Sequence, residues 1–356
     1  MKISKFLLSI FLLSVLLVSC DDDDEPQLPK GDYENGILVS GEGSGAASGS
    51  ITYVSDDFAT VEHQIYKQVN AGKELGTYLQ SLAFDANNSY VCVDQSNSIT
   101  VVDRYTFEEK EIISEGLILP RYMTILNGVG YATNWGSASD ATDDFVAVID
   151  LDTYDVTSTI SVGNGPERIV AKNGKLYVSH KGAWSTNNVV TVIDIASKST
   201  TEIIVKDNPD ELFFDNSGYL VVLSEGNTIY DGSWNVIGQT QGAISKINTS
   251  TNNIDQEIVF PEGSNPTLLV TGGMNMYYNL GSKIYKLGNS DSSLPSTEFI
   301  NTEAGYLYGM EANDENLFIL DASFSGQSTM DIYNLATKAK TISVAAPVSA
   351  SKIYFN

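Results

Sequence analysis

VIDLDTYDVTSTISVGNGPERIVAKNGKLYVSH, running from Val148 to His180, decides how the rest of the chain is read. Together with the residues that follow, it divides into four short β-rich runs: PERIVA (166–171), LYVSH (176–180), VVTVID (189–194) and STTEIIVKD (199–207). Asn173-Gly174 between the first two is a dipeptide suited to a tight hairpin turn, and a polar cluster near Ser197 separates the last two. VVTVID is almost continuously apolar, which marks a strand covered on both faces rather than one with a wet side.

Working outward, the third of these runs recurs as SITYVS, SITVVD, FVAVID, VVTVID, GAISKIN, SKIYKLG and MDIYNL. With Val54, Val102, Ile149, Ile193, Ile247, Leu287 and Tyr333 as equivalents, the intervals are 48, 47, 44, 54, 40 and 46 residues. No long helical pattern interrupts them from Gly36 onward. A four-stranded unit of this length, repeated seven times, predicts an all-β, seven-bladed β-propeller. The first unit opens on GILVSGEG (36–43), a second strand with no first strand before it. The chain finishes on PVSASKIYFN (347–356), a first strand with nothing after it. Pairing Ser351–Phe355 with the first unit would close the ring and remove its open edges.

The Val148–His180 stretch resembles the YVTN or YncE-like propeller repeat, with its V-I-D strand, I-x-V-G strand, Gly-Pro turn and Y-V strand. That resemblance covers about Gly36 to Asn356 and is specific for fold. Propellers host unrelated activities, so it says little about function.

Ahead of the repeats, Lys2 and Lys5 precede an apolar run from Phe6 to Val18, followed by Ser19 and Cys20. Thirteen residues are too few for a spanning helix, so residues 1–19 are expected to be a signal peptide. LVSC (17–20) resembles the lipobox of bacterial lipoproteins, which implies lipidation of Cys20. Residues 20–35 then form an acidic tether, and 36–356 the propeller. DDDDE (21–25) resembles an acidic export signal for lipoproteins of the outer face of the outer membrane; a solvated linker is the plainer reading.

The full chain has 356 residues and a net charge of −25. Loss of the signal peptide removes two lysines and no acids, leaving −27. Such a surface repels nucleic-acid backbones and anionic lipid, so nucleic acid is not expected as a partner and membrane attachment should come from the lipid alone. Cys92, without a disulfide partner once Cys20 is lipidated, reads as a small buried hydrophobe.

Function is expected in the loops joining second to third strands and each blade to the next, which gather on one face of a propeller. The three tryptophans fall in second-to-third-strand loops of consecutive blades: Trp135 in NWGSASDATDD, Trp184 in HKGAWSTNN and Trp234 in EGNTIYDGSWNVIGQTQG. Tyr230 and Phe324 belong to the same set, and Asn134 is a neighbouring hydrogen-bonding group. Rigid aromatics among polar residues suit a large amphipathic ligand; packing beneath their own loops is the alternative. At the blade junctions, Arg121, Glu167, Arg168, Asp210 and Glu211 read either as a self-neutralising ring of ion pairs or as a site in which Arg121 or Arg168 clamps an acidic ligand group. His180 could join a ligand site, although a lone histidine is more often satisfied internally.

No catalytic residues, metal ligands or cofactor are assigned, and the chain is not read as an enzyme. His63 and His180 are the only histidines, and neither a nucleophile elbow nor a phosphate loop is present. Asp140–Asp144 is rich in oxygen ligands, which keeps a lactonase-like, calcium-dependent hydrolase as a remote alternative. Lipidation and the propeller pattern together make the chain similar to the BtuG-type lipoproteins. That similarity implies surface capture of a corrinoid (cobalamin) and its transfer to a TonB-dependent outer-membrane transporter. An envelope protein-interaction or structural propeller is the other reading.

Overall fold

A computed structural model describes residues 29–137 and 139–356. The signal segment, Cys20 and the acidic run lie outside the described residues. Seven four-stranded antiparallel sheets follow one another in sequence as blades one to seven. Each of the seven equivalent residues, Val54 through Tyr333, lies on the third strand of its own blade and is buried.

Blade four shows why the strands form where they do. Its strands are Pro166–Lys172, Lys175–His180, Val189–Asp194 and Thr200–Ile204. Asn173 and Gly174 both adopt positive φ, 51° and 74°, as the expected two-residue turn requires. The third strand is buried from Val189 through Ile193, whereas the outermost one is largely exposed. Alternation is therefore clean only at the outer rim, where one sheet face meets water.

The core is divided among the blade interfaces. Each of seven apolar clusters among the described residues joins one blade to the next; Tyr131, Val146 and Ile160 of blade three meet Ile169, Leu176 and Val178 of blade four, for example. No blade can cover its own faces, so the seven stand or fall together.

Closure takes the expected form. Ala350–Phe355 pairs antiparallel with Gly36–Gly41, with Leu38 opposite Tyr354 and Val39 opposite Ile353. Beyond the strand, Asn356 donates through Nδ2 to the Tyr33 carbonyl (2.7 Å) and accepts from Arg104 Nε (2.8 Å). The C-terminal residue thus ties blade one to blade two.

Two elements go beyond the repeat. A short helix, Ile65–Val69, follows the last strand of blade one and buries Ile65 and Tyr66. In blade five the long loop after the second strand folds into its own hairpin, Thr228–Tyr230 with Val236–Gln239.

Candidate functional site

A proline opens the first strand of blades three, four and five: Pro120, Pro166 and Pro209. Lacking an N–H, it suits a strand's first position. In each case the ladder slips immediately afterwards, between Pro120 and Met123, Pro166 and Ile169, and Pro209 and Leu212. The two residues in the slip leave the regular pairing and line the mouth of the central channel: Arg121 and Tyr122, Glu167 and Arg168, Asp210 and Glu211. Hydroxyls from the neighbouring second strands hold the slipped backbone. Thr133 Oγ1 accepts from Tyr122 N (3.0 Å) and donates to Glu167 O (2.7 Å). Ser179 Oγ accepts from Arg168 N (3.2 Å) and donates to Asp210 O (2.9 Å). Each hydroxyl also bridges two blades.

The charged groups pair with one another. Arg121 clamps Glu167 through Nε and Nη2 (3.2 and 2.8 Å) and reaches Asp94 through Nη1 (2.7 Å). Arg168 reaches Asp210 (2.8 Å) and Glu211, and Lys181 bridges Asp210 and Glu225 at 2.8 Å each. Burial works against the charge of Arg121, but Glu167 and Asp94 outweigh it and hold the guanidinium above its ordinary pKa. Burial raises Asp94 despite Arg121 beside it. For Asp210, Lys181 and Arg168 overcome burial and hold the carboxyl well below its ordinary range. Of the two readings of this ring, the self-neutralising one describes the geometry: both arginines have their donors aimed at protein carboxylates.

Aromatic surfaces rim the same cavity, about 430 Å³ in volume. Trp135 lies over Arg121, with 3.8 Å from guanidinium carbon to ring centroid, and donates from Nε1 to Pro166 O (3.0 Å). Trp184 stands edge-on to it at 5.9 Å between centroids and is 71% exposed. Tyr306 and Tyr308 of blade seven also line the cavity. The Tyr308 hydroxyl donates to Glu42 Oε1 (3.0 Å), and Phe324 packs on both tyrosines at 5.2 and 5.5 Å.

The loops therefore bring Trp135, Trp184 and Arg121 together, with Arg168 beside them. Trp234 and Tyr230 form a separate pair, 6.0 Å apart, on the blade-five hairpin; neither lines the cavity, and Trp234 is 83% exposed. Two expected contact residues are instead internal supports. Asn134 is wholly buried, its amide donating to Ala132 O and accepting from Ile118 N (both 2.9 Å). His180 is also wholly buried. Its Nδ1 faces the Asn164 carbonyl (3.2 Å) and so carries the proton, while Nε2 accepts from Thr191 Oγ1 (2.8 Å). Burial lowers its pKa to about 4 and keeps it neutral. Both residues end second strands, where the last side chain still points into the wall.

The acidic loop's carboxylates are occupied by backbone amides: Asp143 accepts from Ser137 N and Asp140 from Thr142 N within the loop, and Asp144 from Gly165 N at the blade junction. Cys92 is buried, and burial pushes its thiol up to about 12. Sequence reading missed Lys352, Tyr306 and Tyr308 as cavity residues. The tyrosines flanking Leu307, which takes the place of Pro120 and Pro166 at the start of a first strand, were the available signal.

Fold and site together define a seven-bladed β-propeller with a charged, aromatic-rimmed channel mouth. The chain belongs to the family described as "Domain of unknown function (DUF5074)", which it matches over residues 35–344. No curated protein matches its sequence. Among solved structures it is similar to the dihydro-heme d1 dehydrogenase NirN in complex with DHE, at a TM-score of 0.56 and 12% identity over 93% of this chain and 77% of that one. Hydrazine synthase of Kuenenia stuttgartiensis matches at 0.57 and 16%, over 79% and 92%. Apo AztD from Citrobacter koseri matches at 0.55 and 7%, over 89% and 96%. Likeness at these identities speaks for the fold alone.

Proposed function

We propose that this propeller is a non-enzymatic capture protein, lipid-anchored through Cys20 on the outer membrane. In this reading it holds a large amphipathic ligand at the channel mouth and passes it to a TonB-dependent transporter. The observation that carries the reading is the mouth cavity itself: Trp135 on one side, Tyr306 and Tyr308 on another, and fixed donors and acceptors between them. Because Arg121, Arg168 and Lys181 are each paired with neighbouring carboxylates, the rim offers many hydrogen bonds and leaves none of these three cations free. That suits a ligand with broad apolar faces edged by amides, and a corrinoid has this chemistry. Similarity to the BtuG-type lipoproteins points the same way. The exposed Trp184 extends the aromatic surface for a ligand wider than the cavity.

Titration of cobalamin into the mature domain, followed by calorimetry and tryptophan fluorescence, is the test. Saturable binding with quenching is expected, and absence of binding at micromolar concentration removes the corrinoid. The blade-five hairpin favours a second reading, an envelope interaction module. Ile229, Tyr230, Trp234, Val236 and Ile237 are all exposed on it, an apolar group of the kind that docks proteins. Recovery of a transporter from solubilised outer membrane without added ligand would favour that reading.

A further inference from the structure

The channel mouth repeats one arrangement twice and leaves a third copy incomplete. Over the Trp135 ring lies Arg121, 3.8 Å from its centroid, and the guanidinium is held by Glu167 and Asp94. Over the Tyr122 ring lies Arg168, at 4.8 Å, held by Asp210 and Glu211. Each station is an aromatic face, a cation upon it and carboxylates around the cation. Ring face and carboxylate both attract positive charge, the first through its quadrupole, so the three components belong together.

Blade seven supplies the face and the carboxylate only. Its ladder slips between Leu307 and Gly309, which puts Tyr308 at the mouth where blades three and four put Arg121 and Arg168. Tyr306 joins it in the lining, as does Glu42 of blade one, whose Oε1 accepts from the Tyr308 hydroxyl at 3.0 Å. Among the described residues no cation stands over Tyr306, Tyr308 or Phe324. Glu42 forms no salt bridge among them either. The surface is open: Tyr306 is 54% exposed and Phe324 49%. Phe324 meets Tyr306 at 80° and Tyr308 at 66°, so the rings form a corner and do not cover one another by parallel stacking.

The other cations of the mouth do not fill the gap. Lys181 is held at 2.8 Å by both Asp210 and Glu225, and Lys352 acts on Asp210 and Glu211. With Glu42, the lining holds five carboxylates against four cations, Lys352 included, and Asp94 behind Arg121 adds a sixth.

We propose that the corner formed by Glu42, Tyr306, Tyr308 and Phe324 binds a quaternary ammonium group, the ligand supplying the cation that the third station lacks. Ring faces offer no ordinary hydrogen-bond acceptor, so a cation without N–H donors sits there with nothing left unsatisfied. A primary ammonium, with three donors, would give up more of its water than Glu42 replaces. An anion would meet Glu42 and the negative faces of the rings. The site goes beyond the corrinoid reading, because it depends on these residues and not on the identity of the large ligand.

Choline is the probe, titrated into the mature domain by ligand-observed NMR at neutral pH and fixed ionic strength. Its neutral carbon isostere neohexyl alcohol, the primary amine ethanolamine and the anion of tert-butylacetic acid are the comparisons. Saturable choline binding with a Kd of about 1 mM or below is expected, the alcohol and ethanolamine being weaker by about fivefold or more and the anion silent. Tyr306→Leu and Glu42→Gln should each weaken choline by about fivefold while melting at the wild-type midpoint. The fold is spared because Tyr306 is exposed and a glutamine still accepts from the Tyr308 hydroxyl. Absence of saturable choline binding, equal binding of choline and either the alcohol or ethanolamine, or unchanged affinity in either folded variant would each overturn the proposal. Cobalamin is titrated separately, so this site and the capture reading can fail independently.

Discussion

Arg121 lies beneath Trp135, its guanidinium carbon 3.8 Å from the ring centroid, while its nitrogens are held by Glu167 and Asp94. The cation is thereby fixed from its edge and capped on its face. Trp135 has two attachments, this stack and the bond from Nε1 to Pro166 O, and it presents the rest of the indole to the cavity. Trp135→Ala is expected to reduce cobalamin affinity by about tenfold or more and to lower stability by about 1–2 kcal/mol through the lost cation–π contact. Trp135→Phe should recover part of the stability and part of the binding. Calorimetry on the three proteins decides the matter: unchanged binding in both variants would make Trp135 a loop-packing residue.

Arg121 itself should behave differently. Removing it strands Asp94 and Glu167, both largely buried. Arg121→Ala is expected to cost about 3–5 kcal/mol, more than Trp135→Ala. Arg121→Ala combined with Glu167→Gln should recover part of that loss. Denaturant melts of the two variants provide the measurement; a single variant as stable as wild type would show that the carboxylates find other partners.

How much of this was readable in advance follows from what the repeat controls. VVTVID and its equivalents reveal the blades because every third strand meets the same demand, burial on both faces. Ring closure was legible because an unpaired first strand and a missing one sit at opposite ends of the chain. Positions that depend on how blades meet were less visible. Asn134 and His180 look like loop residues by neighbourhood, yet as the last residues of second strands they turn into the wall. Trp234 resembles Trp135 and Trp184 in sequence context, but its longer loop forms a separate hairpin that carries it away from the cavity. Tyr308 was missed because its role depends on a ladder slip between Leu307 and Gly309, which composition does not announce.

Closure supports a prediction about length. Removing Ser349–Asn356 exposes both the edge of Gly36–Gly41 and the apolar cluster joining blades seven and one, which includes Phe318, Leu320 and Ile353. It also removes the hydroxyl of Tyr354, which accepts from Leu82 N at 2.9 Å in blade two. Global loss of cooperative melting is expected rather than fraying of one blade. A truncated domain with an unchanged melting midpoint would contradict the closure. The milder Asn356→Ala change should cost about 1 kcal/mol or more, because Tyr33 O and Arg104 Nε lose a shared partner.

The blade-five hairpin should be separable from the ring. Every hydrogen bond recorded for Thr228–Gln239 stays within the hairpin, whereas Asn227 and Thr240 pair at its base. Replacing Thr228–Gln239 by a two-residue Asn-Gly turn is expected to leave the melting midpoint within about 2–4 °C of wild type. Cobalamin binding should persist, since Tyr230 and Trp234 do not line the mouth. If the hairpin docks a transporter, recovery of that transporter from solubilised membrane should fall. A collapse of the melting midpoint would instead show that the apolar hairpin packs on the ring.

Glu311 gives a pH dependence with a definite sign. Its folded pKa, about 7, stands above the unfolded value for a glutamate. Between those two values the folded state holds a proton that the unfolded state has released. Stability therefore falls as pH rises through that window and levels off above it, the reverse of an ion-paired carboxylate. Glu311→Gln removes the penalty, so the variant should be more stable than wild type at pH 8, by about 1–3 kcal/mol, and nearly equal to it near pH 4. Denaturant midpoints of both proteins across that range are the check. A difference that does not depend on pH would place the effect in packing, and a variant less stable at pH 8 would mean that Glu311 is already matched by a cation.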